Sequence, residues 1–257
     1  MTDKPLRVIS LGWGVQSWTL AAMTALGEFP SVDFAIHSDT THELAGTYAH
    51  AAKWTPWLER RGVKVVTVTA NRPDVVREER GKDKGAVLVP AFTNDQSGKH
   101  LGQTQRQCTY DWKIMPQRRF IRTQIGPPKP GAVESLQGIS LDEFHRMRTS
   151  DVAYIANVYP LVDARISRAD CVAWLESRGL DVPPKSACSF CPYHSQAYWK
   201  RLKRAGGPDW DHAVSADEVI RDKRPGHTLY VHPHRKPLPE AVKIPEDFGA
   251  YQLEFEV

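Results

Sequence analysis

The chain lacks several features that would place it outside the cytosol or in a membrane. It contains no run of about 18 apolar residues, the length that a membrane-spanning helix requires. Its first residues, MTDKPLRVIS, lack the apolar stretch of a secretory signal peptide. Only four residues are cysteines. We therefore expect a cytoplasmic protein with no membrane partner, in which close cysteine pairs are metal ligands or catalytic thiols more often than disulfides.

A surplus of charge of one sign is also lacking, because 34 Lys and Arg residues face 30 Asp and Glu residues, for a net charge of +4. This balance is compatible with phosphate-bearing ligands, but it falls short of the basic surplus that by itself indicates a nucleic-acid-binding protein. Hydrophobic residues make up 41% and charged residues 25% of the 257 positions. Composition therefore indicates a globular protein with a sizeable core and leaves its partner open.

Apolar runs and helical patterns alternate along the first 70 residues. Residues 6–11 form a β-branched run that ends in glycines, as in a buried strand that enters a tight turn. Helical spacing follows from Gln16 to Leu26. Further strands are predicted at 32–38 and 64–70, with a helix between them that ends near Arg61. This alternation predicts an α/β fold with a doubly wound parallel sheet of the Rossmann-like type.

The rest of the chain is less regular. Residues 80–107 are polar and rich in glycine, which predicts a long loop or lid, with disorder as the alternative. The later predicted elements are a basic helix near Pro116, strands within 132–140 and 152–161, and a helix over 167–180 capped by Ser167. We expect an α/β domain over residues 1–180. A cysteine-containing segment of short helices and irregular structure follows at 181–257.

The first strand-to-helix turn carries the pattern of an anion-binding site. Ser10, Gly12, Gly14 and Ser17 lie where backbone N–H groups and the start of a helix can hold a phosphate or pyrophosphate. Neither the Gly-Lys-Ser/Thr ending of a Walker A loop nor the third glycine of a dinucleotide fingerprint is present. The alternative is a glycine turn that serves only for packing.

A second polar turn follows the second strand. Asp39 and Thr40 stand at its carboxyl end, where a carboxylate and a hydroxyl can bind a ribose, an adenine edge or a Mg²⁺ ion. The alternative is that Asp39 or Thr41 only caps the next helix.

The segment from Gly138 to Arg146 supplies a third candidate. Arg146 can clamp a phosphate or a sulfate with two parallel hydrogen bonds. For Asp142 and Glu143 in the same segment, the alternative is a solvated start of a helix.

Three cysteines have the character of metal ligands. Cys188 and Cys191 form a CxxC turn followed by proline, which points two thiolates at one metal, and Cys108 lies far upstream. Together with His194 they can form a closed zinc site; an iron–sulfur cluster and redox-active thiols are the other interpretations. Cys171 lies in the predicted helix at 167–180 and is most simply a small buried apolar residue.

The turn from Ser10 to Ser17 resembles the PP-loop, whose usual form is Ser-Gly-Gly-x-Asp-Ser. It is most similar to the Gly-x-Gln-Ser variant of phosphoadenosine-phosphosulfate-reductase-like proteins of bacteria and phages. In this chain Gly12 stands at the serine position, Trp13 replaces a glycine and Gln16 replaces the acid. The resemblance implies a PP-loop type of α/β fold.

The resemblance continues downstream. The family has an Asp-Thr-Gly-like turn where this chain has Asp39, and a Gly-Ile-Arg-x-Asp-Glu-Ser-x-x-Arg element similar to Gly138–Arg146, with Ser140 at the position of the first arginine. The implied ligand is ATP or a related adenine nucleotide, accompanied by Mg²⁺. The nucleotide-binding residues that the resemblance implies are Ser10, Gly12, Gly14, Gln16, Ser17, Asp39 and Thr40.

The cysteines resemble those of assimilatory adenosine-phosphosulfate reductases. In those enzymes a Cys-Cys pair before a Lys-x-x-Pro element and a downstream CxxC hold a [4Fe-4S] cluster. Here Lys113 and Pro116 match that element, Cys108 matches the first cysteine of the pair, and Thr109 replaces the second. Three-cysteine ligation leaves one iron open, as in the PP-loop tRNA thiolation enzymes that carry sulfur on such a cluster. The implied cluster ligands, with Zn²⁺ as the alternative metal, are Cys108, Cys188 and Cys191.

The resemblance does not extend to the reaction of the sulfonucleotide reductases. Those enzymes use a nucleophilic cysteine near the C-terminus, and no cysteine follows Cys191 here. The implied activity is ATP-dependent sulfur transfer, or modification of a nucleotide or nucleic acid, through an adenylated intermediate, with Lys113, Arg146 and Asp39 as catalytic residues. A sulfonucleotide reductase and a non-enzymatic, zinc-stapled nucleotide-binding module are the alternatives. The further expected partners are a nucleic-acid or small-molecule acceptor and a sulfur-donor protein.

Overall fold

The structure of the protein is a computed structural model that describes residues 4–71, 74–77, 86–95, 97–98 and 101–244. Its contacts group the chain into two compact units. The first comprises Met1–Pro73 and Gln107–Cys188, and the second comprises Asp74–Arg106 and Ser189–Val257. The predicted boundary at 180/181 kept residues 74–106 in the first domain, whereas their contacts group them with the C-terminal segment. The division into domains stays a prediction.

Strands and helices alternate in the first unit, as the sequence predicts. The described strands are β1 (Leu6–Ser10), β2 (Phe34–Asp39), β3 (Val65–Thr69), β4 (Val76–Arg77), β5 (Ala86–Val87), β6 (Phe92–Asp95), β7 (Leu101–Gln103), β8 (Val133–Gln137), β9 (Ile155–Val158) and β10 (His227–Tyr230). The described α-helices are α1 (Val15–Ala25), α2 (Ala45–Glu59), α3 (Met115–Gln124), α4 (Pro160–Asp163), α5 (Arg168–Ser177), α6 (Gln196–Ala205), α7 (Gly207–Val219) and α8 (Leu238–Ala241). A π-helical turn, Thr109–Ile114, precedes α3, and a 3-10 turn spans Leu141–Arg146.

The first unit is built on a five-stranded parallel sheet with the order β3-β2-β1-β8-β9. Neighbouring residues of a strand point to opposite faces, so each face has its own core. Ile9 of β1 packs in the cluster that holds Trp18 of α1, Leu58 of α2 and Leu175 of α5. Val8 packs in the cluster around Ile121 of α3. The predicted α/β, doubly wound parallel sheet is confirmed.

The strand order creates a crevice beside β1. The chain moves from β1 outwards to β2 and β3, and it then returns to the other side of β1 to form β8 and β9. Connections therefore leave the carboxyl ends of β1 and β8 in opposite directions. In open α/β sheets, ligands bind at such a switch point, outside the carboxyl ends of the strands. The turn after β1 and the segment after β8 both lie at this crevice.

Two predicted elements differ from the structure. The predicted strand over 152–161 is limited to β9, because Pro160 begins α4, and proline is well suited to the first position of a helix. The predicted loop over 80–107 is wrong for its described part, which contains β5, β6 and β7. Residues 80–85, 96 and 99–100 of that segment lie outside the described residues.

The second unit contains a three-stranded antiparallel sheet of order β10-β6-β7. The predicted region of short helices after residue 180 does contain α6, α7 and α8, but the strand β10 was not predicted. Of the helices in the described ranges, none has both the length and the apolar character that a membrane span demands.

Candidate functional site

The start of α1 offers its positive end to a ligand. Gly14 is the N-cap and has no side chain, and the first turn carries no acidic residue. The start of α5 differs, because Ser167 and Asp170 form a capping box there and Asp142 accepts the backbone N–H of Arg168 at 2.8 Å. Helix N-termini attract anions through their N–H groups and the helix dipole. Of these two helices, α1 is therefore the one prepared for an external anion.

Internal hydrogen bonds fix the shape of the turn before α1. The Ser17 hydroxyl accepts the N–H of Gly12 at 3.2 Å and donates to the carbonyl of Gly14 at 3.2 Å. The Ser10 hydroxyl accepts from the side-chain amide of Gln117 at 3.2 Å. Both serines, predicted to contact the nucleotide, thus support the turn itself, and their contact with a ligand stays a prediction.

Gly138 closes the other side of the crevice. A Cβ atom at this position would lie 2.6 Å from both the backbone N and the Cα of Ser17. Real Cβ atoms do not approach backbone atoms that closely, so only glycine allows the end of β8 to touch the start of α1. The two halves of the crevice are therefore in direct backbone contact.

Trp13 shows how the turn accommodates its departure from the PP-loop pattern. Its φ is 56°, a left-handed conformation that glycine adopts readily and that costs other residues about 1–2 kcal/mol. Its indole is 1% exposed, with ring centroids 5.9 Å from Trp18 and 5.8 Å from His50. Burial of a large aromatic ring offsets the strain. The turn thus keeps a glycine-like backbone although a tryptophan occupies the position.

A cleft of about 250 Å³ opens beside the start of α1. We call it the anion cleft; it is lined by Gly14, Val15, Gln16, Glu143, Arg146, Arg168, Pro184, Lys185 and Ser186. Three of these side chains are cationic and one is a carboxylate. Cations beside a helix N-terminus bind phosphate and sulfate groups. The predicted residues Gly14, Gln16 and Arg146 do meet at this cleft.

Hydrogen bonds connect the polar walls of the anion cleft. The buried side-chain amide of Gln16 donates to Glu143 at 3.2 Å and lies 3.4 Å from the hydroxyl of Ser140, while its carbonyl accepts from Arg168 at 3.1 Å. Arg146 pairs with Glu143 at 2.7 Å. The sequence allowed two interpretations of Glu143, a functional residue or part of a solvated helix start. In the structure its side chain is part of the cleft wall.

The two residues predicted after β2 have different surroundings. One carboxylate oxygen of Asp39 accepts the N–H of Thr41 at 2.7 Å and the hydroxyl of Tyr48 at 2.8 Å, so Asp39 binds within its own turn. The alternative that Asp39 or Thr41 caps the next helix is wrong, because the N-cap of α2 is Leu44. Thr40 is fully buried, and its hydroxyl lies 3.5 Å from the Cys188 sulfur. Their predicted contacts with a nucleotide stay predictions. Neither residue lines the anion cleft.

A second polar group forms around Lys113. We call Glu43, Cys108, Lys113 and Cys188 the thiol–lysine cluster. Lys113 donates to Glu43 at 3.1 Å, and Glu43 and Cys188 form an isolated backbone bridge. Burial by itself would lower the pKa of Lys113. The charge and hydrogen bond of Glu43, together with the charges of Cys188 and Cys108, outweigh burial, so the pKa of Lys113 lies above its usual value. Lys113 is therefore a fixed cation beside two thiols.

Two further contacts position the thiol–lysine cluster. Ser38 at the end of β2 donates to the Lys113 carbonyl at 2.8 Å, which fastens the π-helical turn; such turns occur frequently at functional sites. Ser186 donates to the Gly12 carbonyl at 2.6 Å and lies 3.4 Å from Glu43. Ser186 thus joins the cluster to the turn that borders the anion cleft.

The predicted metal ligands are divided between the two units. Cys108 and Cys188 belong to the first unit, whereas Cys191 and His194 belong to the second. Across the described ranges, no three His, Cys, Asp or Glu side chains converge closely enough to hold a metal ion. A metal on these cysteines therefore stays a prediction.

Cys171 has the role that the sequence predicts for it. It lies in α5 and is 0% exposed, and it belongs to the core cluster with Trp18 and Leu175. Burial raises the pKa of its thiol to about 11. A buried, protonated thiol is a poor nucleophile.

Sequence reasoning missed four side chains of the site: Glu43, Arg168, Lys185 and Ser186. Arg168 follows a helix cap, a position that carries no functional signal by itself. Lys185 and Ser186 lie just before the CxxC turn, and Glu43 is the last residue of the polar segment 38–43 that follows the apolar part of β2. The position of these three residues beside the CxxC turn or within the polar segment was the sequence signal that could have pointed to them.

Comparison with known proteins supplies no family for this chain. No protein-family model matches it, and no curated protein resembles it in sequence. Solved structures do match, among them the crystal structure of phosphoadenylyl-sulfate (PAPS) reductase from Candida auris in a phosphate complex. That chain is 13% identical, with a TM-score of 0.42, over 70% of this chain and 75% of its own length. A likeness of that size carries no conclusion about ligand or reaction.

Proposed function

We propose that the chain is an adenine-nucleotide-binding enzyme of the PP-loop, phosphoadenosine-phosphosulfate-reductase-like type that catalyses ATP-dependent sulfur transfer. The observation that carries the proposal is the anion cleft, where three cationic side chains surround the uncapped start of α1 at the switch point of a parallel sheet. Ser186 joins the thiol–lysine cluster to the same turn. The two cysteines of that cluster are the reason for proposing sulfur transfer.

The residues would act in two chemical steps. In the first, an oxygen of the acceptor attacks the α-phosphorus of ATP, and pyrophosphate leaves. The start of α1 at Gly14 and the cation of Arg146 would hold the pyrophosphate, and Lys113 would stabilise charge that develops on the phosphates. In the second step, a sulfur nucleophile attacks the acceptor carbon that carries the adenylated oxygen, the C–O bond breaks, and AMP leaves with that oxygen. Mg²⁺ would accompany ATP, with Asp39 as its carboxylate ligand.

A [4Fe-4S] cluster on Cys108, Cys188 and Cys191 belongs to the proposal. The chemistry of the donors supports part of it, because Cys108 and Cys188 both lie near the Lys113 ammonium, and cysteine sulfur is the usual ligand of such a cluster. Such a group would supply one iron with a position open to sulfur. Zn²⁺ bound with His194 is the alternative.

Reduction of a sulfonucleotide is the second candidate, because the cations of the anion cleft suit a phosphosulfate as well as a triphosphate. That reaction requires an attacking thiolate. If Cys108, Cys188 and Cys191 bind metal, Cys171 is the thiol that remains, and it is buried with a raised pKa. Sulfur transfer therefore fits the site better.

We expect calorimetric titration to show that the protein binds ATP, and that Ser17→Ala weakens this binding about tenfold. The change removes both hydrogen bonds that shape the turn, and each such bond contributes about 0.5–1.5 kcal/mol. Ser31→Ala, which alters an exposed serine outside the site, is the matched control. Absence of ATP binding by the unchanged protein would overturn the proposal.

A product assay separates the two candidate reactions. Sulfur transfer through an adenylated acceptor releases pyrophosphate from ATP, whereas reduction releases sulfite from phosphoadenosine phosphosulfate. Sulfite formation without pyrophosphate release would replace the first candidate by the second.

A further inference from the structure

Arg168 is the cation of the anion cleft that the sequence did not single out. It is the first residue of α5, and its backbone N–H is bound by Asp142, while the capping box of Ser167 and Asp170 fixes the helix start. Its guanidinium donates to the carbonyl of Gln16 at 3.1 Å. Backbone and side chain are thus held independently, so the guanidinium has a defined position in the cleft.

We propose that Arg168 binds the oxyanion of the ligand, and that the neutral side chain of Gln16 positions it without cancelling its charge. The proposal rests on the proposed function, and it deepens it by assigning the terminal phosphates of the nucleotide to this arginine. Arg168 is a binding residue, and Gln16 is a positioning residue that acts through it.

The charges in the cleft distinguish Arg168 from Arg146. Arg146 forms an ion pair with Glu143 at 2.7 Å, so much of its charge is already balanced. The side-chain partner of Arg168 is an amide carbonyl, which accepts one of the five guanidinium N–H donors and carries no net charge. The remaining donors match the geometry of a phosphate or sulfate. The Asp142 carboxylate also acts on the Arg168 charge, but it accepts the Arg168 backbone N–H, so the guanidinium itself is bound to a neutral partner and keeps donors for an incoming anion.

The same geometry gives a reason for glutamine at position 16. A carboxylate there would stand within hydrogen-bond reach of Arg168 and pair with it, and it would also face Glu143, which now accepts from the Gln16 amide at 3.2 Å. This chain carries the neutral amide at this position. The amide connects Arg168 to Glu143 and leaves the positive charge for the ligand.

The test measures binding of inorganic pyrophosphate and of ATP by calorimetry to the full chain and to three variants. Arg168→Gln is expected to weaken both affinities about tenfold to a hundredfold, the usual effect of losing a charge-assisted hydrogen bond. Gln16→Glu is expected to weaken them by a similar factor. In the double variant the two effects are expected not to multiply, because the added carboxylate no longer has Arg168 to neutralise. Arg119→Gln, at an exposed arginine of α3, is the control and is expected to bind as the unchanged chain does.

Each outcome decides the proposal. If the unchanged chain binds ATP and Arg168→Gln binds pyrophosphate within about twofold of it, Arg168 is not the anion-binding residue, while the proposed function stands. If the effects of Arg168→Gln and Gln16→Glu multiply fully, Gln16 does not act through Arg168. If the unchanged chain binds neither ligand, the proposed function itself fails. Should Arg168→Gln unfold, Arg168→Lys keeps the charge and is expected to show an intermediate loss, and unaltered binding by it would equally overturn the role of a planar guanidinium.

Discussion

Anaerobically purified protein is expected to contain iron and acid-labile sulfide, and Cys188→Ser is expected to lose nearly all of both. Serine keeps the size of the side chain but removes the thiolate that binds a cluster iron. The position is informative because Cys188 lies in the thiol–lysine cluster, 3.5 Å from the Thr40 hydroxyl and near the Lys113 ammonium. Iron and sulfide assays with the visible absorbance of the protein measure the effect.

Cys171→Ala is the matched control for this experiment. The Cys171 thiol is buried in α5 with its pKa raised to about 11, so its removal is expected to leave the iron content unchanged. Colourless protein with stoichiometric zinc would contradict the cluster and favour the closed site that includes His194. Iron retained by Cys188→Ser would remove Cys188 from the ligand set.

Gly138→Ala is expected to damage the fold and the site together. Its new Cβ would lie 2.6 Å from the backbone N and Cα of Ser17, so either β8 or the start of α1 must shift. Overpacking of this kind costs about 1–3 kcal/mol of unfolding free energy. The shift also displaces N–H groups at the start of α1, and we expect ATP affinity to fall by at least about tenfold. Urea denaturation and calorimetry measure the two effects.

Gly12→Ala is the matched control for stability. A Cβ at Gly12 would meet only the Ser17 hydroxyl at 3.8 Å, an ordinary contact, so its effect on the unfolding free energy is expected to be much smaller. Equal stability of Gly138→Ala and the unchanged chain would show that the approach of β8 to α1 is looser than the structure indicates.

The central part of the fold was predictable because its signals are local. β1 and β3 are short runs rich in β-branched residues, β2 begins with the apolar residues Phe34, Ala35 and Ile36, and α1 and α5 carry helical spacing. The small strands β6 and β7 were not predictable, because three of the four residues of β6 are polar and β7 has three residues, one of them glycine. β6 pairs with β10, whose residues lie more than a hundred positions away, and local patterns do not register such a pairing.

The site was predictable where backbone shape and motif coincide. Gly14, Gln16 and Arg146 meet at the anion cleft because the turn after β1 and the segment after β8 end at one edge of the sheet. The contacts of Arg168 and Glu43 were not predictable, because they depend on tertiary partners. Arg168 reaches Gln16 from the start of α5, and Glu43 reaches Lys113 from the turn after β2.

The roles of the two serines and of Asp39 illustrate a further limit. Sequence patterns place a hydroxyl or a carboxylate near a turn, but they do not show whether it binds a ligand or the turn itself. Ser17 binds the backbone of Gly12 and Gly14, and Asp39 binds Thr41 and Tyr48. In such turns the groups that remain for a ligand are mainly backbone N–H groups, which every residue except proline carries.

A crystal structure with an ATP analogue that resists cleavage between its α- and β-phosphates tests the central claim most directly. We expect the terminal phosphates to lie within about 3 Å of the first N–H groups of α1 and of the Arg168 guanidinium. A nucleotide bound elsewhere, with no phosphate in the anion cleft, would contradict the account.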